Sequence, residues 1–252
     1  KDVLLVHPEI EKTSDKEVYM YWWSNIAVDE TPDTRVISPC SKSFWCAYEE
    51  GAYYLGNAEI PVNEGVDVTY TMNLERSRDF FYKISENEKK WITAVDETGY
   101  GLIHMSTPEL TGRKVFAWGE GEGGKHWNEW LSDCGKKYIE IQAGILKTQL
   151  EYFPMAAKAT LSWTEGYGAF QGNPEILHGK EWNGVIDEVK SHIGEQQKIV
   201  EDAVFETDGK SELKYMGSGW GAIENMVREI PVSSHLDFPK ASLNEECAEW
   251  VK

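Results

Sequence analysis

The sequence predicts a mainly β fold, an antiparallel β-sandwich from residue 1 to about residue 172, followed by a helical extension over 173–252. Three observations carry this expectation. Short runs rich in β-branched and aromatic residues recur at even spacing, separated by Gly, Pro, Asn and Asp, which is the pattern of a sandwich or barrel. After Gly172 the apolar residues change from a strand period to a helical one. The 252 residues are 41% hydrophobic, enough to build a real core in one large β domain or two small domains.

In chain order the expected strands are VYMYWW (18–23), TRVISP (34–39), VDVTYTM (66–72), DFFYKI (79–84), KWITAVD (90–96), GLIHMS (101–106), RKVFAWG (113–119), YIEIQ (138–142) and ATLSWTE (159–165). NEWL (128–131) reads as one short helical turn among them. In the tail, Trp182, Val185, Ile186, Val189, Ile193 and Val200 fall on one face of a helix over about 179–203. Trp220, Ile223, Met226, Val227 and Ile230 repeat that spacing after the GSGWG turn. Ser242 with Glu245 has the form of a capping box, opening a last helix over Leu243, Cys247 and Trp250.

The net charge of −18 opposes phosphate backbones and anionic membrane surfaces, so no nucleic acid and no membrane is expected as a partner, and a neutral ligand fits better. Eleven Trp, twelve Tyr and eight Phe exceed what a core of this size needs. Exposed aromatic faces hold the C–H faces of sugars, although an aromatic sandwich core has the same composition. Cys40, Cys46, Cys134 and Cys247 lack metal-ligand spacing, and only Cys40 and Cys46 are close in sequence, which fits a reduced, cytoplasmic-type chain without a disulfide framework. No run of about 18 apolar residues occurs, so no segment reads as a membrane span. The histidines form neither H-E-x-x-H nor its inverse, and no G-x-S-x-G is present, so neither a zinc site, a serine hydrolase nor any cofactor is indicated. The chain opens without Met and is expected to be a piece of a longer protein, for which an upstream signal peptide is neither seen nor excluded.

The stretch KKYIEIQAGILKTQLEYFP (136–154) carries the main candidate. At strand period Tyr138, Glu140 and Gln142 face one side while Ile139 and Ile141 face the other, so Glu140 meets either water or a cavity. Gln149 follows in the same stretch. In WTEGYG (163–168), Trp163, Glu165 and Tyr167 share one side of a strand ending. Glu140 and Glu165 are therefore the candidate catalytic pair, since two carboxylates about 5–10 Å apart serve glycoside hydrolysis. WGEGEGGKHW (118–127) has the glycines of a phosphate loop without the G-x-x-x-x-G-K-[ST] order, and Glu120 and Glu122 oppose an anion. It reads as a flexible loop at a cleft rim, with Trp118, His126 and Trp127 against a sugar, or as a plain surface turn.

EIQAGILKTQLEYFP resembles the C-terminal signature of the aldose 1-epimerases (galactose mutarotases), in which a catalytic Glu precedes x-Gln. YWWSNIAV (21–28) resembles that superfamily's strand ending in His-x-Tyr-Phe-Asn-Leu, with Asn25-Ile26-Ala27 in place of Asn-Leu-Ala. Nearly the whole chain, including KVFAWGEGEGGKHWNEWLSD and GSGWGAIE, resembles a bacterial family of unknown function that is commonly fused to tetratricopeptide repeats and related to the mutarotase-like supersandwich. The resemblance implies the C-terminal part of a supersandwich lacking its N-terminal half, helical repeats beyond Lys252 in a longer parent chain, and a carbohydrate ligand. Glu140 takes the place of the catalytic base, with Tyr21, Trp23, Asn25, Tyr138, Gln142, Gln149 and Trp163 around the sugar. In a mutarotase a His donates a proton to the ring oxygen. At its position this chain has Tyr21, with a reference pKa of about 10, a poor donor near neutral pH. The expected function is glycoside hydrolysis or epimerisation by carboxylate acid–base chemistry; the alternatives are a non-catalytic glycan-binding module and a structural scaffold for the repeats.

Overall fold

The computed structural model describes residues 2–49, 51–205, 218–228, 238 and 242–250. In chain order the strands are β1 (Val3–Val6), β2 (Glu9–Glu11), β3 (Val18–Met20), β4 (Trp23–Asp29), β5 (Arg35–Ile37), β6 (Lys42–Glu49), β7 (Ala52–Glu59), β8 (Val62–Asn63), β9 (Val66–Asp67), β10 (Arg78–Tyr82), β11 (Lys90–Val95), β12 (Tyr100–Ser106), β13 (Gly112–Ala117), β14 (Tyr138–Gly144), β15 (Phe153–Met155), β16 (Thr160–Ser162) and β17 (Glu165–Gln171). The helices are α1 (Glu122–Leu131), α2 (Pro174–Leu177), α3 (Trp182–Glu201), α4 (Trp220–Val227) and α5 (Glu245–Ala248).

Two antiparallel sheets form a sandwich, one in the order β4-β14-β13-β10-β6-β7 and the other β1-β17-β12-β11-β5. Strand alternation decides what the six-stranded sheet buries. Ile139 and Ile141 of β14 point inward and join Val115, Phe80 and Ile26 in the core, while Tyr138, Glu140 and Gln142 point outward. The five-stranded sheet is buried on both faces, because α3 covers its outer side. Val185, Val189, Ile193 and Val200 of α3 share one core with Trp91, Ile103 and Met105. Every residue of β11 is buried for this reason. Gly166 and Gly168 of β17 let the helix come close: a Cβ there would lie 2.3 Å from Val200 and 2.8 Å from Gln196. Up to Glu201, then, the helical segment shares the core of the sandwich. The small ribbons β2/β16 and β3/β15 close one end, where Leu110, Ala143, Ile145 and Trp163 form a second apolar cluster.

Several elements differ from the sequence expectation: β1, β2, β15 and α2 were not expected, and the runs 18–23 and 159–165 each divide between two strands. The run 66–72 leaves the sheet after Asp67, whose carboxylate accepts from both the backbone N–H and the hydroxyl of Thr69, a local alternative to ladder bonding. Residues 122–127 are not a flexible loop but the first turns of α1, of which NEWL is the end. Gly119 makes the preceding turn at φ +79°, and Gly124 lets the helix fold back on it, since a Cβ would lie 2.3 Å from the carbonyl oxygens of Trp118 and Gly119. The β6/β7 hairpin was not expected; its exposed Tyr48, Tyr53, Tyr54 and Leu55 hide the polar–apolar alternation of a half-buried strand. Finally, α5 is capped by Asn244, whose side chain accepts from the Cys247 N–H at 3.0 Å, in place of the expected Ser242–Glu245 box. Trp220 and Trp250 meet edge-on with centroids 5.3 Å apart, and Ile230 lies outside the described residues.

Candidate functional site

The outward positions of β4, β14, β13 and β10 lie side by side on one face. Cross-strand register places Gln142 between Asn25 and Lys114, and Glu140 between Ala27 and Phe116, with Asp79 beyond Phe116. A continuous hydrogen-bonded row results. Asn25 Nδ2 and Gln142 Nε2 donate to Glu140 Oε2 at 2.6 and 2.8 Å. Gln149 Nε2 donates to Gln142 Oε1 at 2.8 Å, and Lys114 Nζ donates to Gln149 Oε1 at 2.6 Å while pairing with Asp79 Oδ1 at 2.6 Å. The Lys114 end is covered and the Asn25 end is open: Lys114 is 3% exposed, Gln142 6%, and Asn25 is exposed on the edge strand. Burial raises the Asp79 carboxyl, with the Lys114 charge and hydrogen bond opposing that rise.

Glu140 itself is half-buried and lines a groove of ≈ 610 Å³ with Asn25, Ala27, Asp29, Tyr138 and Lys137. Aromatic side chains flank the row at both ends. At one end Trp118 stacks on Trp127 (centroids 6.2 Å, 24° between planes) and meets Tyr138 edge-on. Beside them is a recess of ≈ 490 Å³ lined by Tyr48, Arg76 and Arg78. At the other end the Trp23 indole lies over glycines, since a Cβ at Gly144 or Gly112 would come 2.3 or 2.8 Å from its ring. Tyr21 stands half-exposed beside Tyr152, and burial, Tyr152 and Asp79 all raise its hydroxyl pKa.

The expected carboxylate pair is not assembled. Ser24 Oγ donates to Glu165 Oε2 at 2.6 Å, whereas the next residue of the strand, Asn25, donates to Glu140. Successive side chains of a strand point to opposite faces, so the two carboxylates lie on opposite sides of the six-stranded sheet. Glu165 is 1% exposed inside the sandwich and also takes Trp163 Nε1 on Oε1, with Tyr167 Oη and His104 Nε2 on Oε2. Burial alone would raise this carboxyl, but the hydrogen bonds and charge around it hold it at about 2. Burial and then the nearby Arg113 press His104 down to about 4, so its contact with Glu165 at neutral pH is a hydrogen bond from a neutral imidazole. Trp163 accordingly belongs to the core, not to the groove. His126 is exposed on α1 and forms no hydrogen bond to the row. Lys114 and Asp79 are the members that sequence reasoning missed; their signal was a charge at an outward position of each strand. Among the described residues no group of three or more His, Cys, Asp or Glu is placed to hold a metal ion, and no helix is long and apolar enough to cross a membrane.

Fold and site together define a two-sheet β-sandwich with an amide-held carboxylate on an aromatic-flanked outer face. The chain belongs to the family described as Domain of unknown function (DUF5107), whose model matches residues 8–161. The structure is similar to that of a TPR-domain containing protein from Parabacteroides distasonis, at 19% identity and a TM-score of 0.56, over 67% of this chain and 28% of that one. It is also similar to a candidate aldose 1-epimerase from Escherichia coli (9% identity, TM-score 0.48, 68% of this chain and 57% of that one). A galactose mutarotase-like protein from Clostridium acetobutylicum gives 13% identity and a TM-score of 0.44, over 66% and 52%. The chain thus spans between about a quarter and somewhat over half of these solved chains.

Proposed function

We propose that the outer face of the six-stranded sheet binds a neutral sugar or oligosaccharide, with Glu140 as the acceptor that orients a sugar hydroxyl. The observation that carries this reading is the amide-held carboxylate. Asn25 and Gln142 fix Glu140 through Oε2 without adding the positive charge that an Arg or Lys would, and Oε1 has no protein donor among the described residues. A fixed carboxylate is a strong acceptor for a hydroxyl. The Trp118–Trp127 pair and Tyr138 offer apolar faces beside it, and the likeness of YIEIQ and YWWSNIAV to aldose 1-epimerase motifs supports a sugar over other polyols.

Binding is favoured over turnover. Glu165 is fully engaged in the core, which removes it as the second carboxylate of a glycosidase. Epimerisation needs a proton donor beside Glu140, and the upward shift of Tyr21 makes that phenol a weaker acid still. Acid–base turnover stays as the second reading because Glu140 is fixed in the way a general base requires. Calorimetry against a glycan panel, run beside mutarotation and hydrolysis assays, tests the two. Glu140→Ala is expected to weaken binding about 10-fold or more, in line with losing a hydrogen bond to a charged group. Glu140→Gln keeps most of the affinity, with no turnover in either form. Turnover that drops about 10²-fold in Glu140→Gln would move the site to the second reading. No binding across the panel sinks both.

A further inference from the structure

A second groove, of ≈ 540 Å³, lies on the far side of the sandwich between the turn before β11 and the flank of α3 that carries Ile193 and Gln197. Two of its lining residues carry buried polar atoms with no partner among the described residues: Trp91 Nε1, a donor only, and Gln197 Oε1, an acceptor. Trp91 is 0% exposed and Gln197 5%. The orientation of the Gln197 amide is fixed by its surroundings, because both partners of its nitrogen are acceptors, the Ser106 carbonyl at 3.3 Å and the Glu201 carboxylate at 3.0 Å. The carbonyl oxygen is therefore the end left over. Buried groups of this kind are costly to leave unpaired, and each calls for an explanation.

A third feature points the same way. Gly194 lines this groove in the middle of α3, where glycine weakens a helix relative to alanine. Close packing does not demand it, since a Cβ there would meet nothing within 4 Å. Gly166 and Gly168, by contrast, are required by the approach of the same helix. The effect of Gly194 is to keep the groove wide.

The rim is electrically matched. Lys89 pairs with Glu201 at 2.5 Å, Lys190 with Glu88 at 2.8 Å and Lys198 with Asp202 at 3.4 Å. A rim of paired charges gives no net attraction to an ion, but it offers alternating donors and acceptors to hydroxyls. We infer that this groove is a second binding site, separate from Glu140, for a neutral small molecule rich in hydroxyl groups, one hydroxyl accepting from Trp91 Nε1 and one donating to Gln197 Oε1. Both atoms sit below the groove surface. A ligand reaches them by displacing a rim side chain, and exposed ion pairs such as Lys89–Glu201 are weak enough to open.

The test is an NMR titration of the chain carrying ¹⁵N-labelled tryptophan indoles with galactose, N-acetylglucosamine and myo-inositol in turn. Trp91→Phe assigns the Trp91 indole signal. The expected result is a saturable shift of that signal with at least one probe, retained in Glu140→Gln and lost in Gly194→Leu. Gly194→Leu fills the groove and replaces a helix-weakening residue, so its fold is expected to hold, and unchanged remaining indole signals verify this. A Trp91 signal that only drifts in proportion to probe concentration overturns the inference. So does saturation that persists in Gly194→Leu, or that disappears in Glu140→Gln.

Discussion

Glu140 and Glu165 are the same residue type, each on a strand and each tied to one of two neighbouring residues of β4, yet their surroundings differ in one decisive respect. Around Glu165 the protein supplies four donors and both oxygens are used. Around Glu140 it supplies two, both to one oxygen. A carboxylate whose acceptor capacity is filled from within holds parts of the core together, while one held by amides on a single oxygen is left able to accept from outside. What separates a structural acid from a candidate binding acid here is the count of internal donors, and residue type or strand period does not reveal it.

The largest expected effect tests that contrast directly. Glu165→Ala leaves His104, Ser24, Trp163 and Tyr167 without their common acceptor, and a loss of about 3–5 kcal/mol of stability is expected, the range for breaking a buried charged network. Glu140→Ala should cost less, about 1–2 kcal/mol, because Asn25 is exposed to water and only the buried Gln142 amide loses its acceptor. Urea unfolding of both variants measures the difference, and equal losses would dissolve the comparison.

Acid sensitivity comes next. His104 titrates at about 4 when folded, below its ordinary 6.5, so between these values the folded protein binds fewer protons than the unfolded chain. Its contribution makes stability fall as pH drops through that window, by up to the order of 3 kcal/mol. Glu165, held at about 2 against an ordinary 4.5, adds stability that is present above 4.5 and lost as pH falls towards 2. His104→Gln keeps a donor for Glu165 but cannot titrate. Unfolding midpoints at pH 7 and pH 4.5 should therefore show a smaller acid loss in the variant than in the parent; an equal loss in both would mean that the network is not the acid-sensitive element.

The smallest effect on stability sharpens the other side of the contrast. Asn25→Ala removes one of the two amides from Glu140 at an exposed edge, with an expected stability change within about 0.5 kcal/mol. Sugar affinity should nevertheless fall about 5-fold, because the Glu140 carboxylate is then held by the Gln142 amide alone. Calorimetry showing unchanged affinity would separate Asn25 from the binding face.

Much of this was legible in the chain itself. The strands β10 to β14 are legible as short β-branched and aromatic runs between turn residues, and the outward placement of Glu140 and Gln142 follows from the period of β14 alone. The pairing of Glu140 with Glu165 failed for a physical reason. Which sheet a strand joins is set by partners far away in sequence: β17 pairs with β1 and β12, and this turns Glu165 into the core towards Ser24 and His104, 141 and 61 residues away. Lys114 and Asp79 were missed for the same reason: their charge at an outward strand position was visible, but only the register of β13 against β14 and β10 brings them into the row. The helix at 122–131 was hidden by Gly123 and Gly124, which disfavour helix locally, although Gly124 is required where α1 folds back on Trp118 and Gly119.

Ser24 and Asn25 are adjacent on β4, which lies at the edge of the six-stranded sheet and has ladder bonds on one side only. Edge strands fray first, and fraying of β4 would release the Ser24 hydroxyl from Glu165 and the Asn25 amide from Glu140 in one motion. Whatever occupies the groove at Glu140 then acts as a latch on the interior. Its binding should slow hydrogen exchange not only at Asn25 but at the β14 amides behind it, so that the two acids on opposite faces report on a single opening event.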